Sequence, residues 1–268
     1  MTGLSEGKSK ISVVTDNGKK ASIYVVVSDP YTPKTISITD GKSIDLKVKE
    51  SYTLEIELLP ETATTEFTWS SSDDSIATVT STGTVTALKE GTATITVSTD
   101  NGLEDSIQIN AYREYGNVSG NITYLYNNYR GHVADTGALV YLIPSDGSAS
   151  SYVQSSYIAF RGSAPYGIEK YGIYAGKVDG SGNYNIQHVP EGEYVIYIIS
   201  HETSAERWFN DKESYYSSIR MYLSSYLNST TAQSMAEACS YNKYRLTKIT
   251  VYGGQTTNYS YDFGITYI

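Results

Sequence analysis

From Lys34 onward apolar and polar residues alternate with a period of two, the pattern of strands with one face in a core and the other in water. Ile44, Leu46 and Val48 alternate with charged neighbours, Leu54, Ile56 and Leu58 with polar ones, and Ala93, Ile95 and Val97 with threonines. Threonine-rich outer faces over apolar inner faces make a two-sheet sandwich the natural way to bury both sheets. Two later runs depart from this. In ALVYLI, starting at Ala138, and YVIYII, starting at Tyr194, both alternating sets are apolar, which predicts inner strands covered on two sides. Between Ser200 and Lys248 the alternation stops. There Tyr215, Ile219, Tyr222, Leu223 and Tyr226 fall at helical spacing on one face, Asn210 or Asp211 is a suitable cap, and a second short helix is expected from Thr230 to Cys239. The stripe reads as a packing face for the uncovered side of the second sandwich. The pattern as a whole predicts an all-β chain of tandem β-sandwiches, the second with a helical insertion near residues 203–240.

The chain also copies itself. TDNG occurs at Thr15 to Gly18 and again at Thr99 to Gly102, and the flanking residues match without a gap at an offset of 84, including Glu6/Glu90, Gly7/Gly91, Ile11/Ile95, Val13/Val97 and Ile23/Ile107. A period that long means serial domains, since solenoid repeats run at roughly 20 to 50 residues. The repeated TDNG reads as the hairpin before the last strand, with Asn-Gly as a two-residue turn signal. Residues 1–27 are therefore expected to be the C-terminal strands of a preceding repeat, 28–33 a linker, 34–112 one complete domain and 113–268 another. On this reading Met1 opens in the middle of a repeat, and further repeats and an export signal are expected upstream. A two-stranded fragment is marginal by itself, so residues 1–27 should pair with a strand edge or stay poorly packed.

Charge and aromatics divide the chain at the same place. The net charge of −9 opposes nucleic-acid binding, which needs a basic face. Residues 34–112 hold thirteen acids against five bases, while residues 113–268 hold thirteen against eleven. Of 27 tyrosines, four precede Arg113 and 23 follow. No run approaches the ~20 apolar residues of a membrane helix, so no membrane insertion is expected within the chain. Cys239 is the single cysteine, so no intrachain disulfide can form.

The stretch containing Pro60, Trp69 with its following serines, Ala77, Val79, Gly83, Leu88, Gly91 and Ile95 resembles the group-2 bacterial immunoglobulin-like domain of invasin and intimin type surface proteins and some phage virion proteins. The resemblance covers Lys34 to about Tyr112. It implies a spacer or adhesin stalk with Trp69 in the core and no catalytic constellation. Beyond Arg113, Gly116, Gly120, Gly137, Ala138, Val140 and Leu142, then Asp179, Gly182, Tyr184, Val189, Pro190, Gly192 and Tyr194, resemble the carboxypeptidase regulatory-like domain. That resemblance implies a transthyretin-like β-sandwich, an accessory fold in those enzymes.

Chemistry does not assemble along the sequence. His132, His188 and His201 lack zinc spacing, and Asp179 to Asn183 lacks a calcium loop's terminal glutamate. Asp262-Phe263-Gly264 stands without the other kinase motifs, and no Gly-x-Ser-x-Gly elbow is present. Asn117, Asn121, Asn228 and Asn258 begin glycosylation-type sequons, read as chance in so Ser/Thr-rich a chain. No catalytic residue, metal site or cofactor is expected. If the chain binds a partner, a glycan or a host or bacterial surface protein, the site is expected after Arg113 and to use tyrosine. The candidates are Tyr126 and Tyr129 in YNNYR and Tyr166, Tyr171 and Tyr174 in PYGIEKYGIYAG, stretches that read as loops. The expected role is a non-catalytic, extracellular or cell-surface modular protein for adhesion. The alternatives are a phage tail or capsid component and the accessory region of a secreted hydrolase.

Overall fold

A computed structural model of the chain describes residues 5–149, 171–204, 212–239 and 242–265. The chain divides into two compact units, Met1–Arg113 and Glu114–Ile268. Among the described residues both are built of strands, and the second adds two helices.

The first unit opens with β1 (Gly7–Val14) and β2 (Lys20–Val27), which among the described residues pair only with each other. Ile11 faces Ile23 across this hairpin, the register that recurs 84 residues later between β10 (Gly91–Thr99) and β11 (Glu104–Tyr112), where Ile95 faces Ile107. The two copies differ in what covers them. Ile95 and Ile107 are buried, whereas Ile11, Val13 and Ile23 stand 38%, 60% and 64% exposed. Both TDNG turns are three-residue loops rather than the two-residue turn expected from Asn-Gly. In each, the N–H of the threonine donates to the carbonyl of the residue after glycine (Thr15 to Lys19, Thr99 to Leu103). Three loop residues require a left-handed residue in third place, supplied by Gly18 and Gly102 at φ near 80°. The preceding asparagine accepts from the threonine hydroxyl at 2.5 and 2.6 Å, which tightens the loop.

Residues 35–112 form a sandwich. One sheet has the order β4 (Ser43–Lys47), β11, β10, β7 (Phe67–Ser71), with β4 parallel to β11. Facing strands are β3 (Thr35–Ile38) with β6 (Ile56–Leu59), and β5 (Ser51–Thr53) with β9 (Thr84–Ala87) and β8 (Ala77–Val79). The alternating Leu54 to Leu58 run is split here, because the chain leaves β5 and enters β6 in a different sheet. Ile95, Val97, Ile107, Ile109, Val85 and Leu46 make the centre of the core. Trp69 sits at the edge of that core, partly buried, with its indole lying on Gly83.

The second unit is also a two-sheet sandwich. The long β12 (Tyr115–Asn127) anchors one sheet. It pairs antiparallel with β16 (Asn183–Pro190) and β13 (Gly131–Ala134), and parallel with β19 (Thr256–Asn258) and β20 (Tyr261–Ile265). The other sheet has the order β15 (Tyr174–Lys177), β14 (Leu139–Pro144), β17 (Gly192–Ser204), β18 (Asn242–Val251). Val118, Ile122, Val140, Leu142, Ile196 and Ile198 fill the space between the sheets. Gly116 and Gly120 point into this layer where another backbone crosses. A Cβ on Gly120 would come to 1.8 Å from the Tyr259 carbonyl oxygen, and one on Gly116 to 2.3 Å from that of Tyr252.

The alternate residues of β14 and β17 face outward and are equally apolar because helices cover them. α1 (Lys212–Leu223) and α2 (Ser229–Ala238) lay Tyr215, Ile219, Leu223, Met235 and Ala236 on Tyr141, Val195 and Tyr197. Two apolar faces on one strand thus match two cores. Asn228 caps α2, its Oδ1 accepting from the Thr231 N–H at 2.8 Å, which places the start of this helix one residue before Thr230. Of the expected stripe, Tyr215, Ile219 and Leu223 are buried, while Tyr222 lies at the exposed margin against Tyr226, ring centroids 5.8 Å apart. The residues proposed to cap the first helix, Asn210 and Asp211, lie outside the described residues.

Candidate functional site

The four candidate tyrosines among the described residues do not converge on one site. Tyr126 is the next-to-last residue of strand β12 rather than a loop residue, with the Arg130 guanidinium 5.2 Å from its ring centre. Tyr129 is fully exposed at the tip of the β12–β13 hairpin, its N–H held by Asn127 Oδ1 at 3.0 Å. Tyr171 packs against the helix-covered core, and Tyr174 opens strand β15 with its ring edge-on to Tyr194. Tyr174 is thus a strand residue, held there by pairing with Leu142. Tyr166 lies outside the described residues.

Catalytic candidates are held apart or buried. Between Ile199 and Ser204 strand β17 breaks register with β18, and the freed backbone folds over Asp135. The fully buried Asp135 carboxylate accepts from Ser200 Oγ at 2.5 Å and from the His201 and Glu202 N–H groups at 3.0 Å each. Burial pushes this carboxyl above the ordinary carboxylate range, against the pull of its three donors. Ser200 is itself fully buried, and the His201 ring turns away to Glu202 Oε1 at 2.8 Å, so the three residues make no relay open to a substrate. His132 pairs with Asp262 at 2.5 Å, and Asp262 Oδ1 accepts from the Gly264 N–H, a terminal-strand turn. Among the described residues no three His, Cys, Asp or Glu side chains gather as a metal set. Cys239 is buried against the Tyr215 hydroxyl at 3.0 Å, and its thiol is pushed up to about 12, chiefly by burial. Among the described residues no helix is long and apolar enough to cross a membrane.

A different surface gathers polar groups. The sheet built on β12 has one face in the core and an outer face on which no element of the described residues packs. Its residues there are almost all amides and hydroxyls: Asn117, Ser119 and Asn121 on β12, Asn183 and Asn185 on β16, Asn258 on β19. They line an open groove of about 530 Å³ that no charged side chain enters among the described residues. The backbone fixes the row, since Ser119 stands beside Asn185 on one side and Asn258 on the other, and Asn121 beside Asn183. Part of the bonding is internal. Ser119 Oγ donates to Asn258 Oδ1 at 2.9 Å, Asn121 Nδ2 to Asn183 Oδ1 at 3.1 Å, and Ser260 Oγ accepts the Asn121 N–H at 2.9 Å. The side chains of Asn185 and Thr256 have no hydrogen-bond partner among the described residues, and both are exposed to solvent. At the end of the row a bulge in β16 sets His188 at φ 55°. Its N–H donates to Asn117 Oδ1, and its ring lies flat on Tyr115, 3.8 Å away and 6° from parallel.

The tyrosine-centred reading of the sequence missed this face. Its signal was present as alternation: N-x-S-x-N at 117–121, N-x-N at 183–185 and T-x-N-x-S at 256–260. Three of the four sequons set aside as chance, Asn117, Asn121 and Asn258, fall on it.

Residues 32–108, the stretch that forms the sandwich of the first unit, match the family described as bacterial Ig-like domain (group 2). The chain is 36% identical over 84 residues to the lacto-N-biosidase of Bifidobacterium bifidum, covering 29% of this chain and 8% of that protein. It is 39% identical over 80 residues to the α-L-arabinofuranosidase of Bifidobacterium longum subsp. longum, covering 28% and 8%. The chain thus spans a small fraction of the curated relatives it matches. The solved minor pilin of Streptococcus agalactiae superposes over 72% of this chain and 68% of its own, with 11% identity and a TM-score of 0.31.

Proposed function

We propose that the chain is a non-catalytic modular protein of the bacterial surface or exterior, in which Ig-like repeats space and present the C-terminal sandwich for recognition of a glycan or a surface protein. The observation that carries this reading is the copied hairpin: β1–β2 repeats the register of β10–β11 residue for residue at an offset of 84. Serial copies of one sandwich extend a chain without adding chemistry. The C-terminal unit, with its resemblance to the carboxypeptidase regulatory-like domain, is then an accessory, presented fold, and the described residues of its sandwich leave one sheet face open for contact. Fold by itself transfers no activity, and the buried Ser200–Asp135 pair supports a structural use of those groups. The test is immunolabelling of intact source cells with antibody to this chain. Label on unpermeabilised cells is expected; label that needs permeabilisation refutes surface exposure.

A second reading has one specific support. Both curated relatives are glycosidases, matched over 8% of their length each. A region of that kind attached to a glycan-degrading enzyme would serve as its accessory part, and a catalytic domain in the same reading frame would decide for it.

A further inference from the structure

We propose that the groove on the outer face of the β16–β12–β19 sheet binds a neutral saccharide, with the exposed His188 ring, backed by Tyr115, as the platform for one sugar. This deepens the recognition reading above and rests on it for the unit involved, but it names a site and a ligand class.

The lining selects the ligand by charge. Asn117, Ser119, Asn121, Asn185 and Asn258 offer amide donors, amide acceptors and hydroxyls in a row, and among the described residues no charged side chain lines the groove. A phosphate, sulfate or carboxylate ligand would leave its charge without a counter-ion there, and a cationic ligand likewise. A ligand of many uncharged hydroxyls matches a surface that can both donate and accept at every position. The volume of about 530 Å³ suits a short oligosaccharide.

The geometry also resists the plain explanation of an ordinary wet sheet face. Ser119, Asn121, Asn183 and Asn258 are locked to one another in pairs, so the row is rigid before a ligand arrives and loses little side-chain freedom on binding. Asn185 and Thr256 flank it with side chains that have no partner among the described residues. His188 occupies a left-handed backbone conformation uncommon for a residue other than glycine, which turns its ring flat against Tyr115. A flat ring beside hydrogen-bonding side chains offers a pyranose both an apolar surface for its C–H face and partners for its hydroxyls.

The experiment is a nuclear magnetic resonance titration of the ¹⁵N-labelled full chain with cellohexaose, xylohexaose, mannohexaose and laminarihexaose, and with hexagalacturonate as the charged counterpart. At least one neutral hexasaccharide should shift amide resonances of residues 115–121, 183–188 and 256–260, and hexagalacturonate should shift none of them. Asn185→Ala should weaken that binding at least fivefold and His188→Ala at least tenfold. Thr256→Ala, at an exposed position, serves as a second variant should either of these unfold by circular dichroism, and is expected to weaken binding at least threefold. Groove resonances unmoved by all four neutral sugars, stronger binding of hexagalacturonate, or affinity unchanged in the folded variants overturns the proposal. Shifts confined to Tyr126 and Tyr129 overturn it while leaving the wider recognition reading standing. Release of shorter sugars during the titration, read by chromatography, would instead overturn the non-catalytic reading.

Discussion

Ile219→Ala tests whether the helices are part of the C-terminal fold or an ornament on it. Ile219 is fully buried between α1 and the outward residues of β14 and β17. Three carbons are lost from that layer, about 2.4 kcal/mol of transfer free energy at roughly 0.8 kcal/mol for each. Incomplete collapse around the space adds to this, for a total of about 3 to 4 kcal/mol, inside the range measured for such truncations. A unit of roughly 150 residues has a total stability of about 8 to 15 kcal/mol, so the variant should fold but melt early. At roughly 2 to 4 °C per kcal/mol the melting temperature should drop by about 6 to 16 °C. Calorimetry measures that drop, and hydrogen exchange read by mass spectrometry locates it. Exchange should accelerate in β14, β17 and both helices and stay unchanged in residues 34–112. Met221→Ala is the control, since Met221 is on the same helix but 77% exposed and should shift stability by no more than about 0.5 kcal/mol. If Ile219→Ala proves as mild as Met221→Ala, the helices do not form a core with the sheet. If residues 34–112 lose protection as well, the two units do not fold independently.

Gly120→Ala forces a methyl group to within 1.8 Å of the Tyr259 carbonyl oxygen and should cost at least about 3 kcal/mol, whereas Gly180→Ala, with open space around it, should be nearly neutral; equal urea midpoints for the two would contradict the close crossing. Asp135 has its folded-state pKa raised by burial, so the native state holds a proton that the unfolded chain gives up. The stability it contributes is greatest below the unfolded value of about 3.9 and falls as pH rises toward the folded value. Asp135→Asn removes this titration, and the stability of the wild type relative to the variant should fall as pH climbs above the unfolded value of about 3.9; a flat or rising difference refutes the assignment. Cys239, buried with its thiol pushed up to about 12, should react with a disulfide reagent at least ~100-fold more slowly than free cysteine, and at the free rate in denaturant. Rapid labelling of the native chain would show that the α2 end opens freely.

Much of the architecture was legible in the sequence because it rests on local periodicity. The alternation of Ala93, Ile95 and Val97 can satisfy only a strand with one buried face, and the matched words at an offset of 84 reappear as one hairpin register in β1–β2 and β10–β11. The doubly apolar ALVYLI and YVIYII runs required a cover on both sides, and the helical spacing of Tyr215, Ile219 and Leu223 indicated what supplied it. Those three lie on β14 and β17 as their spacing implied, while Tyr222, at the stripe's margin, does not enter the core.

Only the tertiary structure decided which residues share a surface. Asn117 and Thr256 are neighbours through a parallel strand pairing, and Asn121 meets Asn183 through an antiparallel one; neither pairing leaves a trace in local pattern. The same holds for Gly120, whose lack of a side chain is explained by a backbone more than a hundred residues away in sequence. Composition drew attention to tyrosine, yet a tyrosine ring serves a core as well as a surface, and Tyr171 and Tyr174 went to packing. Periodicity reports which face of a strand is dry. What stands beside it on the wet face depends on register between distant strands, and that is set by the collapse of the whole sandwich.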